Sequence, residues 1–253
     1  MRAVTVITAR LASSRLPRKP LVELRGRPVL EHLVDRLRLA TRPEAIVLAT
    51  TREPEDDELE AAARALGIEV FRGATRDVLV RWRDTARATG ADLLVGCDGD
   101  DVLCDAAHVD RVIERAAETG ADYVSCAGLP FGAAPTGYGA AALERVCELK
   151  TETDTEGQGR FFADERIVTR AEVVAPQNVR HATARMTLDY PEDLAFFEAL
   201  LEALEPYEEP PPLERIVATL HARPDIVAIN AALQEEYWRR FNERYPAVAL
   251  GER

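Results

Sequence analysis

Arg10, Arg15, Arg18 and Lys19 fall within one ten-residue stretch that contains no acid, "RLASSRLPRK". The small residues Ala12, Ser13 and Ser14 lie between them, where backbone N–H groups can approach a ligand. Cationic side chains combined with free amides suit a polyphosphate. A second group lies mid-chain: Asp98, Asp100, Asp101 and Asp105 follow the apolar run "LLVGC". Carboxylates crowded at one strand end repel one another unless a cation or an arginine is close. A further acid, Asp189, stands just before "YPEDLAFFEALLEAL". It reads either as a metal ligand or as the N-cap of the helix that follows, and its local pattern alone favours the cap. The histidines His32, His108, His181 and His221 show no ligand spacing. Trp82, in "VLVRWRD", reads as core or rim rather than as a platform for a base. No GxxxxGK[ST] is present, so the phosphate site is not a P-loop. Gly137-Tyr138-Gly139-Ala140-Ala141-Ala142 only faintly echoes a dinucleotide fingerprint and has no convincing strand before it.

The elements that must carry these residues alternate. Strands are expected at Ala3–Thr8, Ala45–Ala49, Glu69–Phe71, Leu93–Cys97 and Tyr123–Cys126, with helices at Pro28–Ala40, Asp56–Leu66, Arg76–Thr89 and Ala106–Thr119. Pro28 suits a first helical turn, and Leu30, Leu33, Val34 and Leu37 form one apolar stripe. Gly67, Gly90 and Gly120 each follow a helix, as C-terminal caps do. Repeated strand–helix order implies a mostly parallel, Rossmann-like α/β sheet covered by helices on both faces. In such sheets ligands bind beyond the carboxyl ends of the strands, where both charged groups lie.

The rhythm breaks after Cys126. Residues 129–138 are rich in Gly and Pro, and "TETDTEGQGR" is polar and turn-like. Ile167–Ala175 alternates like a strand, Arg185–Leu188 reads as another, and helices are expected at Leu213–His221 and Ala231–Tyr245. The chain therefore divides into an α/β domain over 1–205, with an insertion at about 129–184, and a helical extension over 206–253. At 253 residues and 47% hydrophobic it can bury a full core. A net charge of −12 and a pI near 5.0 argue against nucleic acid as a partner. No apolar run reaches the roughly 18 residues of a membrane span. The opening is too short and too early-charged for a signal peptide. Cys97, Cys104, Cys126 and Cys147 form no CxxC pair and read as buried thiols of a reducing, cytoplasmic compartment.

"ARLASSRLPRKPL…GRPVLEHLVDRL" resembles the opening of the sugar-acid cytidylyltransferases, which include the CMP-sialic acid and CMP-KDO synthetases. "VFRGATRDVLVRW" and "GADLLVGCDGDDVLCDAAHVDRVIE" look most like the spore-coat polysaccharide branch. "RMTLDYPEDLAFFEALLEAL" is similar to the family's closing Arg-x-Thr-x-Asp-x-Pro-Glu-Asp-Leu segment. The resemblance implies a nucleotidyltransferase that moves CMP from CTP to a small anionic acceptor and releases pyrophosphate. A sugar acid is the default acceptor; a phosphonate or another acid is the alternative. It also implies that Arg10, Arg15 and Lys19 hold the triphosphate, in a loop that includes Ser14, and that backbone groups of Ala9 and Arg10 approach the cytosine. Asp100 and Asp189 match the magnesium ligands. Arg72, with Gly73 and Asp77, matches a segment lining the nucleotide site, and Asp98 joins the nucleotide-binding set. Lys19, Arg15 and Asp100 are thus the catalytic candidates, and Arg185 and His181 the candidates for meeting the acidic acceptor. Relatives dimerise through an arm after the central strands, so a homodimer is expected, with 129–184 as the arm.

Asp101-Val102-Leu103-Cys104 departs from the Cys-Pro-Leu-Ile of relatives, and 129–184 departs most. Two other readings stand beside the leading one. A glycosyltransferase of similar fold also uses acids, a metal and a nucleotide diphosphate, but the extra charge of the opening loop suits a triphosphate. A non-catalytic nucleotide-binding subunit would not need Lys19, Asp100 and Asp189.

Overall fold

"AVTVIT" is apolar or β-branched throughout, and as strand β1 (Ala3–Thr8) it is buried along nearly its whole length. A strand covered on both faces reads as such a continuous run. Ala3 and Ile7 face one apolar cluster, Val4 and Val6 the other. The computed structural model describes residues 1–12, 15–206, 209–246, 248 and 250. β1 pairs in parallel with β4 (Ala45–Thr51) and β6 (Leu93–Asp98), and β4 with β5 (Glu69–Gly73). Beyond β6 the sheet continues through β8 (Thr136–Gly139), β7 (Tyr123–Ala127) and β9 (Arg170–Val174). Its order is β5-β4-β1-β6-β8-β7-β9, with β8 antiparallel to both neighbours. A short hairpin of β2 (Glu23–Leu24) and β3 (Arg27–Pro28) stands apart.

Helices cover both faces. On one lie α1 (Val29–Leu37), α2 (Asp57–Ala65) and α4 (Ala106–Thr119), and the expected stripe of Leu30, Leu33, Val34 and Leu37 is wholly buried there. On the other lie α3 (Val78–Thr89) and α5 (Ala140–Leu149). Trp82 is core: it fills the space over Gly96, and its indole N–H donates to the Thr8 hydroxyl at 2.5 Å. A third apolar cluster joins α6 (Pro191–Leu204), α7 (Leu213–Ala222) and α8 (Pro224–Ala228) to Leu24, Val102 and Leu103. The last helix is α9 (Leu233–Arg244). Among the described residues, no helix is long and apolar enough to cross a membrane.

Three expectations need correction. The stretch 129–184 is not an arm as a whole. It supplies β8, α5 and β9, and β8 sits inside the sheet between β6 and β7. Its two glycines hid it: a Cβ on Gly137 would lie 2.7 Å from Val112 Cγ1 of α4, so close helix packing requires the glycine there, and the motif is not a phosphate loop. Arg185–Leu188 does not join the main sheet. It runs past the sheet's end, where Arg185 bridges Phe131 and the Leu188 N–H donates to Asp100 O at 2.9 Å. The segment 206–253 does not behave as one extension, because α7 and α8 share the apolar cluster of α6.

Candidate active site

The carboxyl ends of β1 and β6 are adjacent in the sheet, with Thr8 opposite Asp98. The two loops that leave them touch: the Gly99 N–H donates to Thr8 O at 2.8 Å, and a Cβ on Gly99 would lie 2.6 Å from that of Ala9. Buried Asp56 fixes the β1 loop by accepting the Leu11 N–H at 2.8 Å, while the Thr50 and Thr51 hydroxyls hold its other oxygen. The loop then turns through Arg18, whose φ of 59° is left-handed, into a short 3-10 turn, Lys19–Leu21.

That turn places the Lys19 ammonium between two carboxylates far apart in sequence, Asp100 Oδ2 at 2.5 Å and Asp189 Oδ1 at 2.8 Å. Arg15 also reaches Asp189 Oδ1, at 2.6 Å, and Arg185 reaches Asp189 Oδ2 at 3.0 Å. Burial works against the charge on Lys19, yet Asp100 and Asp189 outweigh it and hold the ammonium above its ordinary range. Burial likewise opposes ionisation of Asp189, but Lys19 and Arg15 keep its carboxyl below the ordinary value.

Asp189 does not cap α6. The cap acceptor is Asp193, which takes the N–H groups of Asp189 and Tyr190 at 2.8 and 3.0 Å and also pairs with buried Arg185 at 2.9 Å. Asp189 is thereby left to face the cations. Asp105 does the reverse. It turns away to cap α4 through the His108 N–H and pairs with buried Arg36. The remaining three acids, Asp98, Asp100 and Asp101, bring carboxylate oxygens within 4.8 Å of one another. Burial first, and Asp100 next, push the Asp98 carboxyl up to about 7; the same two causes raise Asp101 well above the ordinary range. An oxygen-only set of mutually repelling carboxylates, with Asp100 sharing one ammonium with Asp189, fits a hard divalent cation.

A family model for cytidylyltransferases matches residues 4–210. The chain belongs to the cytidylyltransferase family. It is a CTP-dependent nucleotidyltransferase. It is similar to an uncharacterised protein of Methanocaldococcus jannaschii, at 26% identity over 96% of this chain and 100% of that one. It is similar to a spore coat polysaccharide biosynthesis protein of Bacillus subtilis, at 28% over 78% of this chain and 85% of that one. To a 3-deoxy-manno-octulosonate cytidylyltransferase of an Anaeromyxobacter species it is 32% identical, over 64% of this chain and 62% of the other. Among solved structures, a cytidylyltransferase of Leptospira borgpetersenii shares the fold with a TM-score of 0.82 at 21% identity, covering 90% and 97% of the two chains. A CMP:2-keto-3-deoxy-manno-octonic acid synthetase complexed with CTP gives 0.62 at 18%, covering 80% and 99%.

In this cytidylyltransferase Arg15, Lys19, Asp98, Asp100 and Asp189 gather in one cluster, and Ala9 lies close by against Gly99. Arg10 reaches Glu156 and Thr75 O at its edge. Ser14 lies outside the described residues. Arg72 is not brought in: its donors go to Thr51 O, Glu53 O, Asp57 and Glu60. Arg185 is wholly buried beneath Asp189. His181 lies elsewhere, stacked on His221 with ring centroids 4.4 Å apart, in a groove of about 430 Å³ that Arg180 also lines. Sequence reasoning missed Glu156, which binds Arg10; Gln158, whose amide reaches Asp98 at 3.4 Å; and Tyr237 of α9. Glu156 and Gln158 sit in the polar run taken for a plain turn, and a lone acid or amide there carries no pattern of its own.

Proposed function

We propose that the protein transfers CMP from CTP to a small sugar acid with the help of magnesium. An acceptor oxygen bonds to the α-phosphorus as the bond to the leaving pyrophosphate breaks. Such a transfer asks the protein to position the chain of phosphates and to neutralise charge. Lys19 and Arg15 would meet the phosphates that depart. Asp100 and Asp189 would hold the magnesium, whose charge offsets that developing on the phosphate oxygens. The observation that carries this reading is Lys19, held 2.5 and 2.8 Å from Asp100 and Asp189. A pre-formed cluster of two cations and two carboxylates can exchange partners: the carboxylates pass to the metal and the cations to the phosphates.

The test is pyrophosphate release with each of the four nucleoside triphosphates, magnesium, and a panel of sugar acids and phosphonates headed by 3-deoxy-manno-octulosonate. Release with CTP and one sugar acid is expected. Consumption of a UDP-sugar without pyrophosphate would replace the reading with glycosyl transfer.

A further inference from the structure

Helix α9 lies beyond residue 210, where the family match ends, and none of its residues is fully buried. Its outer face is charged and paired with itself, Arg239 with Glu236 and Glu243, and Arg240 with Glu236. Its inner face is aromatic and meets the charged cluster and its flanking loop in three successive steps. Tyr237 stands 5.6 Å from the Arg15 guanidinium and 4.9 Å from that of Arg185, with its ring 5.2 Å from Phe131. Phe241, one turn on, packs on Gly157, where a Cβ would lie 2.6 Å from the ring; the left-handed φ of 69° also favours glycine there. Just past the helix, Tyr245 donates to Glu156, the carboxylate that also holds Arg10.

Arg185 explains why the helix docks here. Asp189 and Asp193 occupy one side of its guanidinium, while Nη1 has no hydrogen-bond partner among the described residues. Around it lie the rings of Phe131 at 5.5 Å, Tyr190 at 5.8 Å and Tyr237 at 4.9 Å. A desolvated guanidinium among aromatic faces is held by cation–π attraction. Tyr237 is thus tied to the same arginine that supports Asp189.

We propose that α9 forms the acceptor-side wall of the candidate site and that Tyr237 is a specificity-determining residue for a hydroxylated, ring-shaped acid. This rests on the cytidylyl-transfer reading above. Ligand sites of this kind combine aromatic lining with a few convergent polar groups. The rings of Phe131, Tyr237 and Trp238 pack together there, and Trp238, the exposed member, can meet the C–H face of a sugar ring. Two buried polar atoms beside them lack a hydrogen-bond partner among the described residues: the Tyr190 hydroxyl and Gln234 Oε1, the latter one turn before Tyr237. Buried polar groups seek partners, and the hydroxyls of a sugar acid can supply them.

The test compares wild type, Tyr237→Ala and Tyr237→Phe in the full chain. CTP binding with magnesium is measured by calorimetry, and KM and kcat across the sugar-acid panel by pyrophosphate release. Acceptor binding to the CTP complex is followed by tryptophan emission. The chain has two tryptophans, Trp82 and Trp238, and Trp238→Phe shows which part of the signal comes from α9. Tyr237→Ala should raise the acceptor KM about tenfold, the scale of one lost apolar contact. It should alter CTP affinity far less, and it should reorder preference among acceptors. Tyr237→Phe, which keeps the ring, should restore most of the KM. A purely structural role would weaken all ligands alike and would leave the order of acceptors unchanged. Unchanged acceptor KM and order in an active Tyr237→Ala protein overturns the proposal. A wild-type protein that neither binds CTP nor releases pyrophosphate overturns the cytidylyl-transfer reading instead.

Discussion

Lys19 carries one charge that two carboxylates share, and this sets what its loss should do. In Lys19→Ala a contact that strengthens as pyrophosphate leaves is gone, and transition-state stabilisation should fall by about 2–4 kcal/mol. Near-normal kcat/KM would remove Lys19 from the machinery. The same substitution leaves Asp100 and Asp189 facing each other without the ammonium. Magnesium should then raise the melting temperature of Lys19→Ala more than that of wild type, and equal shifts would show that metal and lysine do not share these acids. Asp189→Asn tests the other half. Asp193 holds the start of α6, so helix content should survive by circular dichroism. Lys19 keeps Asp100 and Arg185 keeps Asp193, so stability should fall by only about 1–3 kcal/mol, less than for a fully orphaned buried ion. Magnesium-dependent turnover should drop about a hundredfold or more; full activity would end the two-carboxylate site. At this scale the cationic loop and the acid cluster were legible, because unlike charges concentrated at strand ends form a pattern. Asp189 was ambiguous because a cap and a ligand look alike in sequence, and only the presence of Asp193 at the N–H groups separates them. Arg72 and Arg185 misled because a sequence shows an arginine's charge but not the acids that consume it.

Helix α9 and the 150–160 loop meet through Glu156, which binds Arg10 and Tyr245 together. Burial disfavours its charge, but the Tyr245 hydroxyl and the Arg10 guanidinium outweigh that and keep its carboxyl below the ordinary 4.5. A carboxylate with a depressed folded pKa contributes stability that is complete above the unfolded value and is lost as pH falls through the folded one. Tryptophan emission from α9 should therefore hold steady from pH 7 to about 5 and change only below the ordinary carboxylate range, with Glu156→Gln shifted already at pH 7. A change centred near pH 6 would point to another group. Most elements were legible from period and caps: β1 and α4 match the expected spans residue for residue, and Gly90 and Gly120 end their helices in the left-handed conformation. β8 and α5 were not. Gly137 and Gly139 read as punctuation, although close packing against α4 and the backbone of Asp122 is what demands them.

The whole molecule leaves β9 as an unpaired edge of the sheet, with Val174 at its end 60% exposed. An exposed edge strand offers a template for pairing. β9 lies in the stretch expected to reach a partner subunit, and we expect a homodimer built on that side. Light scattering should give a mass of two chains; a monomer at every concentration would count against it. The layered α/β architecture was legible because alternation of strand and helix leaves few other solutions. The place of the C-terminal helices was not, since an amphipathic stripe says that a face is covered without saying by what.

The distances along the chain between the partners at Lys19 carry a consequence in time. The ammonium meets Asp100 across 81 residues and Asp189 across 170. Synthesis at roughly 5–20 residues per second makes the cationic loop first and its last counter-charge about 10–30 s later. Through that interval the growing chain exposes the cationic loop with only part of the acid that will pair with it. The closing acid arrives with Asp193 and Arg185, the residues that also start α6, so the loop is restrained in the same step that completes the third apolar cluster. Any chain released before residue 189 would keep the cationic loop and lack its last counter-charge.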